Sequence, residues 1–571
     1  MPNTDLPAPS ETAEGRRPRR LVIIGAVAAG TSVGAKARRN DEDLEIVVYD
    51  RDRDISYSGC GLPYYVGGQV ADADELHPRN PAWFAKRYNM DIRTGHEVIA
   101  VDHPARIMRV RDLSTASEFT DTYDTLVLAT GARSIIPPIP GVQAPGVFTV
   151  RNVQDAETIR SWILNRHPSN AVVVGSGFIG LEMAEQLTES GIKVTMVERL
   201  PQVMPALDAD MAYRVQEELV RHRIDVHVAS TVTAIEVTED SVTGVRLDNG
   251  DVLAADLVIL SVGVRPDTDL ALQVGAELGP TGAIKVDHQM RTSVDGVYAV
   301  GDVAESFSLI TGAPLWRPLG STANKMGRIA GDVITGGSLA HRGILGTGIV
   351  RVFDLAVAHT GLTETEATAQ GFEIEVIHNI KPAHATYVGG RELIIKAIAE
   401  RGTGTLLGAQ AIGTQGVDKR IDVLATAISF GAVAEDLFHL DLAYSPPFAT
   451  TKDPIHYTGM ALANAIDGTA PLITPSDLDA RLDSGERLQI IDVRSARDYA
   501  KSHVPDAVNI PLAELRARAG ELDPSIATVT YCNKGVSGNA GQNILLRRGF
   551  TTVFNLSGGN SNYQTHQRSG L

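Results

Sequence analysis

Two strand–turn–helix units built around glycine-rich turns constrain the fold of this chain more than any other feature. The first runs 20-RLVIIGAVAAGTSVGAKARRN and is followed by the strand 45-EIVVYD-50, which ends in an acidic residue. The second runs 171-AVVVGSGFIGLEMAEQL and closes with 193-KVTMVER-199. A β-branched run that meets a glycine turn and then a helical segment is typical of a βαβ nucleotide-binding unit. The chain therefore contains two such units, separated by about the length of a domain.

The second unit carries the full dinucleotide fingerprint. Gly175 permits the tight turn, Gly177 lets a pyrophosphate approach the backbone, and Gly180 lets the helix pack on the strand. Glu198 follows about 20 residues later at a strand end, where it would accept a hydrogen bond from a ribose 2′-OH. A carboxylate there repels a 2′-phosphate, which favours NADH over NADPH, although the adjacent Arg199 would partly reverse this preference. The alternative is that Glu198 only ends the strand and contacts no ribose.

The first unit departs from that fingerprint at its middle position. GAVAAG keeps Gly25 and Gly30 but has Val27 where a glycine is usual, followed by Ala28. Asp50, at the end of the next strand, supplies a ribose acceptor and restores the prediction of a nucleotide site. Two units in one chain indicate two different nucleotides, and an NADH site beside an FAD site is the usual combination.

Five motifs in order carry a family resemblance. They are GAVAAG, ATG at 129–131, GSGFIG, SVGVRP and YAVGD, and with them the chain from about 20 to 465 resembles the flavin-dependent pyridine nucleotide–disulfide oxidoreductases. The resemblance implies that Asp302, next to Gly301, contacts the ribityl chain of FAD. It also implies that the turn Thr130–Gly131 lies against the flavin nucleotide and that Gly263 of SVGVRP lines the cofactor region.

The segment 56-SYSGCGLPYYVGG-68 contains one of only two cysteines in 571 residues. Relatives of the glutathione reductase type carry C-x4-C here, whereas S-x-x-x-C-G-L-P-Y is similar to the single-cysteine branch. That branch comprises coenzyme A-disulfide reductases, persulfide reductases, and NADH oxidases and peroxidases. The oxidases and peroxidases usually have a His in the first glycine loop, about where Ala28 stands. Val27 and 62-LPY-64 resemble the coenzyme A-disulfide and persulfide group.

The resemblance implies that Cys60 is the redox-active nucleophile. A helix N-terminus or a neighbouring cation is expected to lower the pKa of such a thiol. Electrons from NADH would reach Cys60 through FAD and restore it from a mixed disulfide or persulfide with substrate. The runner-up is an NADH oxidase or peroxidase that cycles Cys60 through sulfenic acid. A third possibility is a sulfur-carrier or redox-sensing scaffold with incidental turnover.

Further site residues follow from the same resemblance. Coenzyme A is expected to contact Ser56 and Arg39, because a guanidinium suits phosphate, and Lys36 and Lys325 are candidates for the same role or ordinary surface cations. In a twofold homodimer the dimerisation domain lends tyrosines to the other subunit's site. The best matches are Tyr444 in 441-DLAYSPPFATTKDP and Tyr387 in 384-HATYVGG, where a phenol would protonate the leaving thiolate.

The second cysteine lies near the C-terminus. 490-IIDVRSARDYAKSHVPDAVNIPL, 529-VTYCNKGVSGNA and 555-NLSGG resemble a single rhodanese domain. Cys532 would carry persulfide sulfur in the loop 532-CNKGVS-537, whose backbone N–H groups form an anion nest. Rhodaneses commonly end this loop in Arg, whereas Ser537 stands here, so thiosulfate chemistry is in question and Lys534 is a candidate substitute. A degenerate docking module is the alternative.

The composition restricts the classes of partner that the protein is expected to bind. The net charge of −17 argues against nucleic acid and anionic membranes, and no apolar run is long enough to span a bilayer. Two cysteines cannot form a disulfide framework, which favours a reducing, cytoplasmic location. Small thiol, disulfide or persulfide compounds are the expected substrates, and no metal site is predicted.

The predicted fold class is α/β: two Rossmann-like domains for FAD and NAD(P), an α+β dimerisation domain and an α/β rhodanese domain. The predicted boundaries are a disordered tail at 1–19, FAD-binding segments at 20–150 and 255–334, an NAD-binding domain at 151–254, a dimerisation domain at 335–466, a linker at 467–472 and the rhodanese domain at 473–571.

Overall fold

The computed structural model describes residues 19–239 and 241–570. Nearly all of the predicted disordered tail, residues 1–18, lies outside this range. Among the described residues, none of the helices combines the length and the apolar character needed to cross a bilayer. The predicted α/β class is confirmed, because parallel sheets covered by helices occur together with antiparallel ones.

The first nucleotide-binding unit is a five-stranded parallel sheet in the order β18-β7-β1-β2-β3. Its strands are buried on both faces, as their Val- and Ile-rich sequences require. The elements up to residue 150 are β1 Arg20–Ile24, α1 Ala29–Asn40, β2 Glu45–Tyr49, a 3₁₀ turn Gly59–Gly61, α2 Leu62–Val66, a 3₁₀ turn Ala73–Leu76, α3 Pro81–Tyr88, β3 Asp91–Arg93, β4 His96–Asp102, β5 Ile107–Asp112, β6 Glu118–Thr122, β7 Thr125–Leu128, β8 Ala132–Ser134 and β9 Val147–Phe148.

The second unit is a parallel sheet in the order β12-β11-β10-β16-β9. Its elements are α4 Val153–Arg166, β10 Asn170–Val174, α5 Phe178–Glu189, β11 Lys193–Val197, α6 Ala209–Arg221, β12 Asp225–His227, the antiparallel β13 Val232–Thr238, β14 Ser241–Leu247 and β15 Val252–Ala254, and β16 Leu257–Leu260. Because β9 and β16 pair within this sheet, it extends on both sides of the predicted segment 151–254. A buried strand that ends in glycine looks the same in either unit, so the sequence pattern alone could not assign it.

The chain then returns to the first unit through β17 Val264–Pro266, α7 Asp269–Val274, β18 Val297–Ala299, a 3₁₀ turn Gly301–Val303, β19 Ser306–Phe307, β20 Pro314–Leu315 and α8 Gly320–Ile334. Helix α8 packs closely on α1: a Cβ at Gly327 or Gly331 would overlap the backbone of α1. This contact brings the turn after β18 beside the first glycine turn.

An antiparallel sheet follows in the order β21-β22-β25-β24-β23. Its elements are β21 Gly348–Val352, β22 Leu355–Gly361, α9 Glu364–Ala369, β23 Ile374–Pro382, a 3₁₀ turn Thr386–Val388, β24 Glu392–Glu400, β25 Leu406–Gly413, α10 Val417–Ser429, α11 Asp436–His439 and α12 Pro454–Ile466. Strand β23 lies at an edge of this sheet, and helices α10 and α12 cover one face.

The C-terminal unit is a parallel sheet in the order β26-β30-β29-β27-β28. It comprises β26 Leu472–Ile473, α13 Pro475–Asp483, β27 Gln489–Asp492, α14 Ala496–Lys501, β28 Val508–Asn509, α15 Leu512–Arg518, a 3₁₀ turn Ala519–Glu521, β29 Thr528–Tyr531, α16 Val536–Leu546, β30 Val553–Leu556 and α17 Gly559–Ser569. This unit docks on the edge strand β23, where the amide of His378 donates to Ser557 Oγ at 2.7 Å. It also contacts α6, where Arg214 donates to Asn562 Oδ1 at 2.7 Å.

Candidate active site

The first glycine turn forms a tight cradle between β1 and α1. A Cβ at Gly25 would overlap the carbonyl oxygen of Ala129, and one at Gly30 would overlap that of Gly25, so both positions require glycine. Asp50 closes the turn by accepting a 2.6 Å hydrogen bond from the amide of Ala26. Burial raises the pKa of Asp50 to about 6. Ala28 stands directly before the first residue of α1.

Two further turns converge on this cradle because β1, β7 and β18 are parallel and end at the same edge. A Cβ at Gly301 would lie 2.8 Å from the Cβ of Ala29, and Gly301 has a φ of +77°. Its neighbour Asp302 forms an ion pair with Arg151 at 3.5 Å, and burial raises the pKa of Asp302. Thr130 Oγ1 donates to the carbonyl of Asp267 at 2.7 Å, which fixes the turn before Gly131.

These turns fit FAD. Backbone cradles that a Cβ would fill, together with a strand-end carboxylate, are what a dinucleotide requires. The residues that would hold it are Gly25, Ala28, Gly30, Asp50, Thr130, Gly131, Gly301 and Asp302. When bound, FAD supplies two-electron transfer to and from a nicotinamide.

The second glycine turn lies between β10 and α5. Gly175 has a φ of +98°, and a Cβ at Gly180 would overlap the Gly175 carbonyl, whereas no atom lies within 4 Å of a Cβ placed at Gly177. Glu198 is buried and accepts hydrogen bonds from Ser176 N at 2.9 Å and Ser176 Oγ at 2.7 Å. Its carboxylate therefore braces the turn in this structure, and its contact with a ribose stays a prediction.

Gly263 lies just beyond β16, beside the crossing between the two units. It has a φ of +103°, and its carbonyl accepts from the amide of Ile135 at 3.0 Å. This hydrogen bond thus joins the segment that enters the second unit, at Ile135, to the segment that leaves it, at Gly263.

Cys60 is exposed in the 3₁₀ turn that precedes α2. Although the side chain reaches solvent, the surrounding protein partly desolvates the sulfur and raises the pKa of its thiol, and the charges of Glu182 and Asp302 raise it further. The sequence-based expectation of a thiol pKa lowered by a cation or a helix N-terminus is therefore wrong for these protein groups. The reason is that two carboxylates, not a cation, flank the sulfur, and α2 has only five residues. Cys60 therefore lies within electrostatic reach of Asp302 of the first unit and Glu182 of the second, and α2, which follows it directly, packs on α5 of the second unit.

Glu182 is a site residue that sequence reasoning missed. It lies on α5, and its Oε1 accepts a hydrogen bond from Tyr64 Oη at 3.2 Å. Burial raises the pKa of Glu182 to about 7, with a further contribution from Glu185. The guanidinium of Arg351 lies over the Tyr64 ring at 5.4 Å and forms an ion pair with Glu185 at 2.6 Å. In the sequence, Glu182 is only a carboxylate on a predicted nucleotide-binding helix. Nothing in that pattern indicates that the helix packs near Cys60.

Cys532 lies in the loop between β29 and α16 and is only 8% exposed. Its sulfur accepts a 3.2 Å hydrogen bond from the amide of Gly535, which has a φ of +103°. A Cβ at Gly559 would overlap the carbonyl of Cys532, so the opposite loop also approaches closely. Arg494 holds the loop by donating to Asn533 Oδ1 at 3.0 Å. One backbone N–H thus points at the sulfur, and a nest of several converging N–H groups stays a prediction.

Comparison with known proteins decides the family. The profile of the pyridine nucleotide-disulphide oxidoreductases matches residues 19–315, that of their dimerisation domain matches 348–454, and that of the rhodanese-like domain matches 474–566. The chain belongs to the pyridine nucleotide-disulphide oxidoreductase family. It is an oxidoreductase that depends on FAD and NAD(P)H, as the sequence motifs predicted.

Three relatives illustrate the likeness. The NAD(P)H sulfur oxidoreductase (CoA-dependent) of Pyrococcus furiosus is 38% identical over 76% of this chain and 97% of its own length. The reduced CoADR-RHD of Bacillus anthracis has a TM-score of 0.93 and 37% identity over 96% of this chain and 98% of its own. An NAD-dependent persulfide reductase from A. fulgidus has a TM-score of 0.88 and 36% identity over 95% of this chain and 100% of its own.

The predicted coenzyme A contacts of this oxidoreductase lie on or near α1 and α8. Ser56 has a φ of +50°, and its amide donates to the carbonyl of Ala26 at 3.0 Å, beside the first glycine turn. Arg39 is exposed, stacks on Tyr88 and donates to its hydroxyl at 3.2 Å. Lys36 forms an ion pair with Asp332 at 3.0 Å, whereas Lys325 is exposed.

The two predicted tyrosines lie on neighbouring loops of the dimerisation domain. Tyr387 is 78% and Tyr444 is 52% exposed. One backbone hydrogen bond, from Ala385 N to the carbonyl of Pro446 at 3.1 Å, joins these loops. Phe448 nearby is also largely exposed. The structure therefore places the two tyrosines on loops that contact each other.

Proposed function

We propose that this oxidoreductase uses NAD(P)H to reduce coenzyme A disulfide, or coenzyme A persulfide or polysulfide, at Cys60. The observation that carries the proposal is the position of Cys60 in the exposed turn before α2, a helix that packs on α5 of the second nucleotide-binding unit. The only other cysteine of the chain, Cys532, belongs to the rhodanese domain. A cysteine without a neighbouring partner at that position reacts with sulfur from the substrate.

The covalent steps follow from thiolate chemistry. The Cys60 thiolate attacks a sulfur of coenzyme A disulfide, a new S–S bond forms, and one coenzyme A thiolate leaves with the electron pair. With coenzyme A persulfide, attack on the sulfur bonded to coenzyme A releases hydrosulfide instead. Both reactions give the same mixed disulfide on Cys60. Two electrons from NAD(P)H then return Cys60 to the thiolate and release the second thiolate.

Glu182 and Tyr64 would manage the proton. A carboxyl group whose pKa lies at about 7 is able both to hold and to release a proton near neutrality. Glu182 receives a hydrogen bond from Tyr64 and lies within electrostatic reach of Cys60. It is therefore suited to protonate a leaving thiolate. Tyr444 and Tyr387 would serve the same purpose across a homodimer.

Coenzyme A would bind along the outer side of the first unit. Arg39 and Lys325 offer exposed cations for its phosphates, while Ser56 holds the chain four residues before Cys60. Lys36 is engaged with Asp332 and is the weaker contact of the four. The rhodanese domain would hold sulfane sulfur on Cys532 and supply it to coenzyme A or to Cys60.

Anaerobic stopped-flow oxidation of NADH tests the proposal. Coenzyme A persulfide, coenzyme A disulfide, hydrogen peroxide and dioxygen are compared as acceptors, with sulfide measured in parallel. We expect rapid turnover with the coenzyme A compounds and release of sulfide from the persulfide. Rapid turnover with peroxide or dioxygen alone would instead identify a sulfenic-acid enzyme, and negligible turnover with all four would favour a sulfur-carrying scaffold.

A further inference from the structure

The Cys532 loop lacks a cation of its own that is free to meet an anion. Ser537 occupies the position where an arginine is common in rhodaneses. Lys534, the candidate substitute from the sequence, forms an ion pair with Glu392 at the start of β24. Its charge is therefore directed to the dimerisation domain and partly neutralised there.

Another cation reaches the loop from outside the rhodanese domain. Lys381 lies near the end of the edge strand β23, three residues after His378, whose amide and Nδ1 both meet Ser557 Oγ. The residues after Ser557 border the cysteine loop, because the amide of Asn560 donates to the carbonyl of Cys532 at 2.8 Å. Lys534 of the loop also pairs with Glu392, which lies opposite Pro382 in the register of β23 and β24, so Lys381 is one residue from the strand position that the loop contacts.

The ammonium of Lys381 has no carboxylate partner among residues 19–239 and 241–570. It is half-buried and lies 4.3 Å from the centre of the Tyr457 ring on α12. Burial lowers the pKa of Lys381, the Cys532 sulfur opposes this effect, and the charge of Lys534 adds to it. A partly desolvated cation without an anion is costly unless a ligand supplies the charge.

Backbone donors complete the arrangement. The amide of Gly535 already points at the sulfur at 3.2 Å. Helix α16 has eleven residues and begins at Val536, so its first-turn N–H groups, which have no partner within the helix, face the loop. A cation of the dimerisation domain thus acts electrostatically on the same sulfur that accepts from the Gly535 amide of the rhodanese domain.

We propose that Lys381 of the dimerisation domain completes an anion site at Cys532 that binds a sulfane-sulfur donor of the thiosulfate type and stabilises the cysteine persulfide formed from it. The inference extends the sulfur-carrying role proposed above for the rhodanese domain and rests on it. Lys381 is a positioning residue that acts on the charge of the bound sulfur.

The transfer balances without an added oxidant or reductant. The Cys532 thiolate attacks the sulfane sulfur of thiosulfate, forming one S–S bond. The original S–S bond breaks, and sulfite leaves with the electron pair. No proton moves, and the product is the Cys532 persulfide anion, whose negative charge Lys381 would stabilise. An acceptor thiolate or cyanide then takes the outer sulfur and returns the Cys532 thiolate.

The test measures charge at Cys532 directly, using the full-length holoenzyme with Cys60→Ser so that one cysteine reacts. Second-order rates of alkylation are compared for iodoacetate, an anion, and iodoacetamide, which is neutral and of similar size. We expect Lys381→Met to lower the iodoacetate-to-iodoacetamide ratio by about threefold or more, because it removes one positive charge close to the sulfur. Lys381→Arg should keep the ratio.

Lys452→Met is the matched control, because Lys452 is exposed and lies over the same Tyr457 ring at 5.9 Å. Its ratio should equal that of the parent. The Michaelis constant for thiosulfate, with cyanide as acceptor, should rise in Lys381→Met and not in the control. In the Cys60→Ser parent, added salt should lower the iodoacetate-to-iodoacetamide ratio. This result tests for positive charge near Cys532 without relying on any Lys381 variant.

An unchanged alkylation ratio in Lys381→Met, with an unchanged Michaelis constant for thiosulfate, would overturn the inference. Failure of the proposed function would be visible elsewhere, as absent NADH oxidation by coenzyme A persulfide in the unsubstituted enzyme. The alkylation ratio requires no turnover and does not depend on that result, so the two failures are distinguishable.

Discussion

The Tyr64 hydroxyl donates a 3.2 Å hydrogen bond to Glu182, which ties the helix after Cys60 to the nucleotide-binding helix of the second unit. The contact spans 118 residues of sequence. The charge of Glu182 also acts on the thiol of Cys60. Movement of either helix would alter both the proton donor and the nucleophile.

Glu182→Gln should make Cys60 more reactive above pH 7. The pKa of Glu182 is about 7, so its carboxylate is charged above that pH, and a charged carboxylate raises the pKa of the Cys60 thiol. Removal of the charge moves the alkylation profile of Cys60 to lower pH and accelerates alkylation at pH 8 by about twofold to fivefold. Below pH 6, where Glu182 is protonated, variant and parent should converge.

Iodoacetamide labelling of Cys60, measured by mass spectrometry from pH 5 to 9, checks this result. Glu189→Gln is the control, because Glu189 is exposed at the far end of the same helix, where it accepts from Gln69. A Glu182→Gln profile that coincides with the parent at every pH would show that the carboxylate does not act on the sulfur.

Cys60→Ser should abolish reduction of coenzyme A disulfide and persulfide, to below about 1% of the parent rate. The flavin absorbance should remain, because the cradle of Gly25, Gly30 and Asp50 does not include the cysteine. NADH oxidation and the flavin spectrum are measured on the same preparation. Retained turnover with either substrate would place the nucleophile elsewhere.

Cys532→Ser should spare the reduction of coenzyme A disulfide and small persulfides while impairing that of bulkier or polymeric sulfur. Cys532 lies in a separate domain, and its loop faces the dimerisation domain. Steady-state rates with a series of sulfur donors of increasing size provide the measurement. Equal losses with every donor would contradict a division of labour between the two cysteines.

Gly180→Ala and Gly177→Ala should separate stability from binding. A Cβ at Gly180 overlaps the Gly175 carbonyl, so the variant should be destabilised by about 1–3 kcal/mol. A Cβ at Gly177 meets no atom within 4 Å, so that variant should fold normally but bind NADH more weakly, since the pyrophosphate approaches there. Thermal unfolding and NADH titration distinguish them. Equal melting temperatures would refute the steric argument.

Local patterns predicted the two glycine turns and their strand-end carboxylates because the requirements of such turns are local. The overlap at Gly30 and Gly180 and the strand-end positions of Asp50 and Glu198 follow from strand–turn–helix geometry, which a short segment encodes. The sequence therefore indicated both units, the family and the two cysteines.

The electrostatic surroundings of the cysteines could not be predicted in the same way. Glu182 meets Cys60, and Glu392 meets Lys534, only because separate units pack together. The sequence suggested a cation beside Cys60 and a free Lys534, and the structure shows carboxylates beside both. Motifs indicate which groups react, whereas the packing of distant segments decides which charged groups surround them.

The docking of the rhodanese domain on β23 has a consequence for the solubility of the whole chain. β23 is a nine-residue edge strand with the sequence IEVIHNIKP, and an uncovered apolar edge is a template for pairing with another chain. The hydrogen bond from His378 to Ser557 and the contact with β26 occupy part of that edge. A chain cut after α12 would expose it. The fused domain thus protects its neighbour from self-association, whatever sulfur it carries.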